Sequence, residues 1–490
     1  MRKNVLERLA DGYVFLLLGG FLLWPGMEGY VRIVAAKYRL FLWLSGGYCA
    51  LSVLLWLELV LIRKPVRDRG ERAAEAFLLG YLLFALLACL FSPRSSTVWL
   101  GSARHNGFLT LVLYVLSFCL LRRFARPAVW MLDVTGAALC LFCIVALLQL
   151  LGGNPFGLYP AGLTYYDAGK AYSGQYLSTA GNAGLTAAIL CTATPALVFG
   201  AGRLRRWWLL GPAALGIAVL VWMDVSAGLL GLAGSLLLTL PLALPKGRAR
   251  KIAAYTVGGA LLLALAGVYW LPGLPGIFGE AHALLHGNGE ASFGSGRIYI
   301  WQNVWQAIRA RPWFGSGPDT LGSQIHAYFE RYDPATGRTL RSTIDAAHNE
   351  YLNIWAEEGL FALLCWLGAL GASAVRFVRR AGEPAVLICG SAMLGYCIQA
   401  FFGISMCIST PYLFLAWALL ESPQDHKNRL EDEKSASRFS ACRKSLFAPL
   451  PSSFLSLKSS ENCLIEREGG SFPPSLFPSD SVAKLLIIVF

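Results

Sequence analysis

Uninterrupted apolar runs of bilayer length recur along the first 420 residues of the chain. A run of about 20 apolar residues crosses the hydrocarbon core of a membrane as a helix, because only a helix satisfies its own backbone polar groups there. The composition agrees, since 56% of the 490 residues are hydrophobic and only 14% are charged, unlike the balance of a soluble domain. The sequence therefore predicts an all-α, polytopic membrane protein.

Hydropathy predicts about twelve transmembrane helices. The predicted spans are residues 13–26, 41–62, 73–91, 108–121, 128–150, 185–201, 207–223, 229–245, 252–271, 359–375, 385–403 and 405–420.

Lys and Arg residues cluster in every second connection between these spans, and basic residues of short loops stay on the cytoplasmic side. This pattern predicts a multi-pass protein of the cytoplasmic (inner) membrane with both termini in the cytoplasm. The clusters explain most of the net charge of +13, so we expect no nucleic-acid partner. They lie at residues 2–8, 63–72, 122–126, 203–206, 246–251 and 376–380.

The connections on the opposite side are unequal in length, which divides the chain into four parts. Residues 1–271 hold nine predicted spans, and residues 272–358, here called the cap, form one large extracytoplasmic loop. Residues 359–420 hold three more spans. Residues 421–490 are rich in Ser, Pro, Lys and Glu, which predicts a disordered cytoplasmic tail.

Three helices are predicted inside the cap. Ser295 can cap the first, from Gly296 to Ala310, which places Ile300, Trp301, Val304 and Ile308 on one face. The Pro- and Gly-rich segment 311–318 predicts a turn, and a second short helix is expected through Ile325 and Phe329. Asp345 is expected to cap a third helix that begins at Ala346 and sets His348 on one face with Tyr351, Leu352 and Trp355.

Chemistry at the outer face of a membrane on a lipid-linked diphosphate needs cations and a base. Arg suits the diphosphate because its guanidinium makes paired hydrogen bonds and does not titrate, and His suits base chemistry because its pKa lies near neutrality. The outer loops supply Arg104, Arg297 and His348. Other cations there fit solvated surface charges: Arg94, Lys170, Arg309, Arg311, Arg338 and Arg341.

No metal or other cofactor is predicted. His282 and His286 form a His-Ala-Leu-Leu-His pair that can bind a metal on a helix, but the metalloprotease motif needs Glu directly after the first His, and Ala283 stands there. The cap contains no cysteine, which disfavours a disulfide framework or a thiolate site.

Three stretches of the cap resemble the signature of the O-antigen ligase and polysaccharide polymerase family. They are Ser295-Gly-Arg-Ile-Tyr-Ile-Trp301, Arg311-Pro-Trp-Phe-Gly-Ser-Gly-Pro-Asp319, and Asp345-Ala-Ala-His-Asn-Glu-Tyr-Leu352 followed by Glu358-Gly359. Weaker similarity extends upstream to Trp99-Leu-Gly-Ser-Ala-Arg104-His-Asn-Gly107 and to Gly181-Asn182.

The resemblance implies a GT-C-like membrane glycosyltransferase that is metal-independent and inverts the anomeric carbon. It would move a glycan from an undecaprenyl-diphosphate carrier onto a glycan, lipid or protein acceptor at the outer face of the membrane. By resemblance, Arg297 and Arg104 would bind the donor diphosphate and His348 would activate the acceptor hydroxyl. Asn349, Glu350 and Tyr351 would support His348.

Two departures from the family pattern reduce the expected set of cations. Ala227 stands where the family often has Arg, and Ala346 and Ala347 precede His348 where the family commonly has Arg.

Three questions stay open from the sequence. Ligase and polymerase activities share the donor chemistry, so they are not separated. A flippase for lipid-linked oligosaccharides would need polar residues through the depth of the bundle, and these spans are poor in them. A non-catalytic scaffold for envelope assembly would not depend on His348 or Arg297.

Overall fold

The computed structural model describes residues 2–62, 72–93, 96–102, 104–167, 176–325, 328–333 and 338–423, and residues 1–423 form one compact unit. Within this part of the chain a helix lies at each predicted span. The α-helices are α1 Arg2–Phe15, α2 Ile33–Phe41, α3 Gly47–Ile62, α4 Ala73–Leu90, α5 Phe108–Phe124, α6 Val129–Leu150, α7 Ala183–Leu204, α8 Leu210–Trp222, α9 Ser226–Ala243, α10 Arg248–Trp270, α11 Gly276–Leu285, α12 Phe293–Ala310, α13 Glu350–Glu358, α14 Leu360–Arg380, α15 Pro384–Gln399 and α16 Thr410–Glu421.

Short irregular helices join or extend these elements. Two are π-helical, Leu16–Phe21 and Leu42–Gly46, and five are 3₁₀-helical: Gly29–Arg32, Pro155–Gly157, Ser178–Ala180, Trp207–Leu209 and Leu321–Ser323.

Seven helices of the described residues are long and apolar enough to cross a membrane. The shorter helices at Trp207–Trp222 and Pro384–Gln399 are also apolar. The polytopic membrane class is thus confirmed, while the total of twelve spans stays a prediction. The seven are Gly29–Glu58, Ala73–Leu90, Val129–Leu150, Ala183–Leu204, Ser226–Ala243, Arg248–Trp270 and Leu360–Arg380.

The helices after the cap pack against helices from the first half of the chain. α14 packs on α4, α15 on α7 and α9, and α16 on α5 and α15. Buried polar contacts join further helices of the bundle: Arg122 forms an ion pair with Glu75 at 2.8 Å between α5 and α4, and the Ser373 hydroxyl donates a hydrogen bond to Glu421 at 2.6 Å between α14 and α16. The helices that follow the cap therefore belong to the same bundle as the helices of the first half.

Helix α10, which leads into the cap, has no buried residue. It contacts α9 and α11, and leucines such as Leu262 and Leu263 are largely exposed. A helix that is apolar on all sides fits a lipid environment.

The first cap helix is confirmed, but its N-cap residue is Ser292 and not Ser295. α12 begins at Phe293, but Gly294 and Gly296 have φ values of 64° and 82°, so the regular part follows Gly296 as predicted. Ile300, Val304 and Ile308 are each at most 2% exposed. They pack with residues of the later cap segments in one small hydrophobic core, whose buried members also include Leu321, Ile325, Ile344, Ala347 and Ala356.

The expected second cap helix is wrong. After a single 3₁₀ turn at Leu321–Ser323, the chain forms an antiparallel hairpin of β1 (Tyr328–Asp333) and β2 (Arg338–Thr343), with Tyr328 opposite Thr343. The two segments, Tyr-Phe-Glu-Arg-Tyr and Arg-Thr-Leu-Arg-Ser-Thr, consist mostly of polar and β-favouring residues. Because a short isolated helix is unstable, the two segments pair with each other as strands more readily than either one forms a helix. Within the described residues the regular secondary structure is therefore helical apart from this hairpin.

The third cap helix begins four residues later than predicted. Residues 345–349 are not helical, and α13 starts at Glu350 with Asn349 as its N-cap, since Asn349 Oδ1 accepts a hydrogen bond from Leu352 N at 3.0 Å. His348 has a left-handed φ of 48°, so a regular α-helix cannot include this residue. The expectations that Asp345 caps this helix and that His348 shares a helical face with Tyr351 are therefore wrong.

Several predicted features lie outside the described residues. They are the tail beyond Pro423, most of the basic cluster at 63–72, and the cations Arg94 and Lys170.

The buried face of α12 predicts a clear effect on stability. Ile308→Ala leaves a cavity in the cap core and should cost about 2–5 kcal/mol, seen as a lower thermal unfolding midpoint of the purified protein. Ile277→Ala on α11 is the matched control, because Ile277 is 43% exposed. Equal midpoints for the two variants would contradict a packed core beneath α12.

Candidate active site

Asp319 ties the outer loop at residues 96–107 to the cap. Its Oδ2 atom accepts hydrogen bonds from the backbone N–H groups of Ser102 at 2.5 Å and Asn106 at 3.3 Å, and its carbonyl accepts one from the Ser102 hydroxyl at 3.1 Å. Gly101 permits this approach, since a Cβ there would lie 2.6 Å from Asp319 Oδ2. Asp319 itself has a left-handed φ of 58°.

Arg104 lies at the centre of the same contact and is 2% exposed. Its Nε lies 3.1 Å from Asp319 Oδ1, and its Nη2 donates to Glu357 Oε1 at 2.5 Å. Its Nη1 reaches Asn353 Oδ1 at 3.4 Å. We call Arg104, Asp319, Asn353 and Glu357 the arginine network. It joins the early outer loop, the Pro-Gly turn and α13.

The charges in the arginine network stabilise one another. Burial alone would lower the pKa of Arg104, but Glu357 and Asp319 raise it above its ordinary value. Burial raises the pKa of Glu357, and the charge of Arg104 opposes this. Removing one member would therefore leave a buried charge without its partner, which is costly.

The Pro-Gly turn at 311–318 is confirmed and docks on the junction of α13 and α14. The Ser316 and Gly317 N–H groups donate to the Glu357 carbonyl at 3.0 and 2.8 Å. The backbones approach so closely that a Cβ on Gly315 would lie 2.3 Å from Glu357 O, and one on Gly359 would lie 2.3 Å from Trp313 O. Glycine is required at both positions, where φ is 62° and 91°.

His348 lies in the irregular segment before α13, and its neighbour Ala347 contacts α12 through the Trp301 indole. Among the described residues no hydrogen bond is made by the His348 ring. Burial lowers the pKa of His348, the charge of Arg297 lowers it further, and Asp345 opposes them. The imidazole is therefore neutral at pH 7 and can accept a proton.

Arg297 differs from Arg104 in its partners. It is partly buried, and its guanidinium donates to two backbone carbonyls, Gly294 O at 2.7 Å and Phe402 O at 3.0 Å. Its Nε has no hydrogen-bond partner, and it forms no ion pair within the described residues. Burial lowers the pKa of Arg297, a cost that a bound anion would offset.

The three predicted supporting residues anchor α13 rather than contact the His348 ring. Asn349 is the N-cap, the Glu350 N–H donates to Ala400 O at 2.9 Å, and the Tyr351 hydroxyl donates to Cys397 O at 2.8 Å. The last two bonds end on carbonyls at and beyond the C-terminus of α15. They hold the start of α13 against the same segment whose Phe402 carbonyl binds Arg297.

A small cavity lies beside α13 and is lined by both polar and apolar side chains. Its volume of about 20 Å³ is room for about one water molecule. Asn106 Oδ1, Glu350 Oε2 and Glu358 Oε2 belong to its lining and have no hydrogen-bond partner. Burial raises the pKa of Glu350 to about 7.

Sequence reasoning missed Asp319, Asn353 and Glu357 as site residues. Asp319 closes one of the recognised stretches, and Asn353 and Glu357 follow His348 at positions that share one helical face, four residues apart. Of the other predicted cations, Arg309 and Arg311 are exposed, and the Arg341 guanidinium lies 3.4 Å from the Tyr328 ring centre.

No metal centre is found among the described residues, where no group of three or more His, Cys, Asp or Glu side chains is arranged to bind one. His282 and His286 are used locally: their Nδ1 atoms lie 2.9 Å from Val268 O and 2.8 Å from His282 O.

The arginine network predicts that Arg104 stabilises the fold. Arg104→Met should lower stability by about 3–5 kcal/mol, because it leaves two buried carboxylates unpaired. Arg32→Gln is the control, since the Arg32–Glu28 pair is exposed and should contribute at most about 1 kcal/mol. Thermal unfolding of the purified proteins measures both. If Arg104→Met unfolds like Arg32→Gln yet loses all transfer activity, Arg104 contacts substrate directly.

A comparison with known protein families gives a match to this part of the chain. Residues 211–367, about a third of the chain, match the family model described as O-antigen ligase. The match runs from α8 into α14 and includes Arg297, His348, Asn353 and Glu357, while Arg104 lies before it. No curated protein matches the chain. Residues 211–367 are thus similar to an O-antigen ligase domain, and the apolar helices around them agree with a multi-pass membrane protein.

Proposed function

We propose that this protein transfers a glycan from an undecaprenyl-diphosphate carrier to an acceptor hydroxyl at the outer face of the cytoplasmic membrane, as a surface-polysaccharide ligase or polymerase. The observation that carries the proposal is that Arg297 forms no ion pair among the described residues, donates only to backbone carbonyls, and lowers the pKa of His348, which favours the neutral imidazole. Arg297 can therefore bind an anion, and His348 can accept a proton.

Arg297 suits the diphosphate of the donor. Its Nε is unpartnered, and its two Nη atoms bind neutral carbonyls, which compete weakly with an anion. When the bond between the sugar and the diphosphate breaks, negative charge develops on the leaving oxygen. A fixed guanidinium stabilises that charge and would perform the role that a metal ion performs in other glycosyl transfers.

His348 suits the acceptor. Its neutral imidazole would take the proton from the acceptor hydroxyl as the oxygen attacks the anomeric carbon. The glycosyl–diphosphate bond breaks in the same displacement, so the anomeric configuration inverts. The proposed reaction is thus metal-independent, uses no cofactor, and releases undecaprenyl diphosphate.

The proposal gives Arg104 a supporting role. The resemblance implies that Arg104 binds the diphosphate, but its guanidinium is buried and already contacts two carboxylates. We infer that it positions the cap against the outer loop, and that Asn349, Glu350 and Tyr351 position α13. The proposed orientation, with both termini in the cytoplasm and the cap outside, follows from the alternating basic clusters.

The decisive experiment follows transfer from the carrier in membranes that contain an undecaprenyl-diphosphate glycan. His348→Ala and Arg297→Ala should each lower transfer by at least about 100-fold, the effect of removing a base or an anion-stabilising donor. Arg309→Ala is the control, because Arg309 lies on the same helix and is exposed. Gel analysis and mass spectrometry of the products measure transfer at matched protein levels.

The products of the parent chain separate the remaining alternatives. A lengthened carrier-linked glycan identifies a polymerase, and glycan on a new lipid or protein identifies a ligase. Transfer by both variants at the level of Arg309→Ala would support a scaffold. Movement of glycan across the membrane without transfer by the parent chain would support a flippase.

The proposed base predicts a pH dependence. Since burial and Arg297 lower the pKa of His348, the acid limb of kcat/KM should lie below pH 6.5, the ordinary pKa of histidine being about 6.5. Asp345 acts in the opposite direction, so Asp345→Asn should move the limb to still lower pH. A limb above pH 6.5, or an upward shift in Asp345→Asn, would argue against His348 as the base.

A further inference from the structure

The backbone around His348 needs external support. His348 adopts a left-handed conformation with φ of 48°, which L-residues with a Cβ disfavour. Its ring makes no hydrogen bond within the described residues, so the ring is not held through its own nitrogens. The direction of the imidazole is therefore set by whatever holds the neighbouring peptide groups.

The residue before His348 is held on both sides. Ala347 is 0% exposed, so water cannot satisfy its backbone. The Ala347 N–H donates to Asn353 Oδ1 at 3.1 Å, and the Ala347 carbonyl accepts from Trp301 Nε1 at 3.0 Å. Because Ala347 is buried in the cap core, an Arg side chain would not fit at this position.

The Asn353 amide has only one orientation that satisfies its partners. Its Nδ2 donates to Glu357 Oε2 at 2.7 Å, and its oxygen accepts from the Ala347 N–H and faces Arg104. A flipped amide would place its NH₂ against two donors and its oxygen against a carboxylate. The arginine network thus sets the orientation of the Asn353 amide, whose oxygen binds the Ala347 N–H.

Trp301 comes from a different element. It lies four residues after Arg297 on α12, so the two side chains share a face, and its indole packs near Phe402 with ring centres 6.4 Å apart. Arg297 lies over the same Phe402 ring, 5.8 Å from its centre. One helix face therefore carries both the anion-binding arginine and a support for His348.

We propose that Asn353 and Trp301 are positioning residues that hold the Ala347 peptide groups and thereby aim the His348 imidazole toward the space beside Arg297. The inference rests on the proposed function for its role in catalysis. It predicts that loss of either hydrogen bond loosens His348 without removing any group that contacts substrate.

Trp301→Phe tests this, because it removes the indole N–H and keeps an aromatic ring. We expect kcat to fall by about tenfold, since small displacements of a catalytic group are costly, with KM for the lipid-linked donor within about twofold of the parent because Arg297 is untouched. The matched control is Trp305→Phe, one turn further along α12, where the indole is 44% exposed. A control-like kcat in Trp301→Phe would overturn the proposal.

A second readout does not depend on transfer activity. The rate at which diethyl pyrocarbonate modifies His348 in the purified protein, followed by mass spectrometry, reports how freely the imidazole ring moves. This modification rate should rise on the order of threefold to tenfold in Trp301→Phe, because loss of one hydrogen bond raises the population of the loosened conformation by about that factor. The rate should be unchanged in Trp305→Phe. If the parent chain shows no transfer, the proposed function fails while this rate still decides the positioning role.

Asn353 is tested by the same rate with two variants. Asn353→Leu removes the acceptor for Ala347 N–H and should speed modification, whereas Gln302→Leu removes an amide from an exposed position of α12 and should remain close to the parent. Equal rates in the two variants would overturn the role of the Asn353 oxygen.

Discussion

A single buried guanidinium connects the parts of this protein that its candidate chemistry requires. Arg104 enters from the outer loop between α4 and α5, and its partners come from the turn after α12 and from α13. The outer loop therefore meets, at one charge, two cap stretches that lie more than 200 residues later in the chain. Because a buried arginine is stable only when its carboxylates are in place, the cap and the bundle are specified together.

The sequence predicts much of this architecture because the strongest signals are physical and local. Apolar length predicts where helices lie, the spacing of Ile300, Val304 and Ile308 predicts the buried face of α12, and the glycines of the 311–318 segment predict its turn. Orientation, the number of spans that cross the bilayer and the tail remain predictions, because no described contact reports on the membrane or on residues beyond 423.

The errors also have physical causes. His348 lies in a left-handed conformation before the helix, a state that depends on contacts from Trp301 and Asn353 and that no local pattern indicates. The hairpin at 328–343 depends on pairing between two segments, whereas helical periodicity considers each alone. The diphosphate-binding role that the resemblance implies for Arg104 stays a prediction, because residue type does not distinguish an arginine that binds substrate from one that contacts two carboxylates.

The position of Arg297 beside His348 has a consequence for the order of events. The positive charge of Arg297 now lowers the pKa of His348. Under the proposed function, a diphosphate paired with Arg297 would cancel part of that charge and make the imidazole a stronger base. The site would then be weakly reactive toward acceptors when empty and become competent on loading, so that the donor itself acts as the trigger for deprotonation of the acceptor.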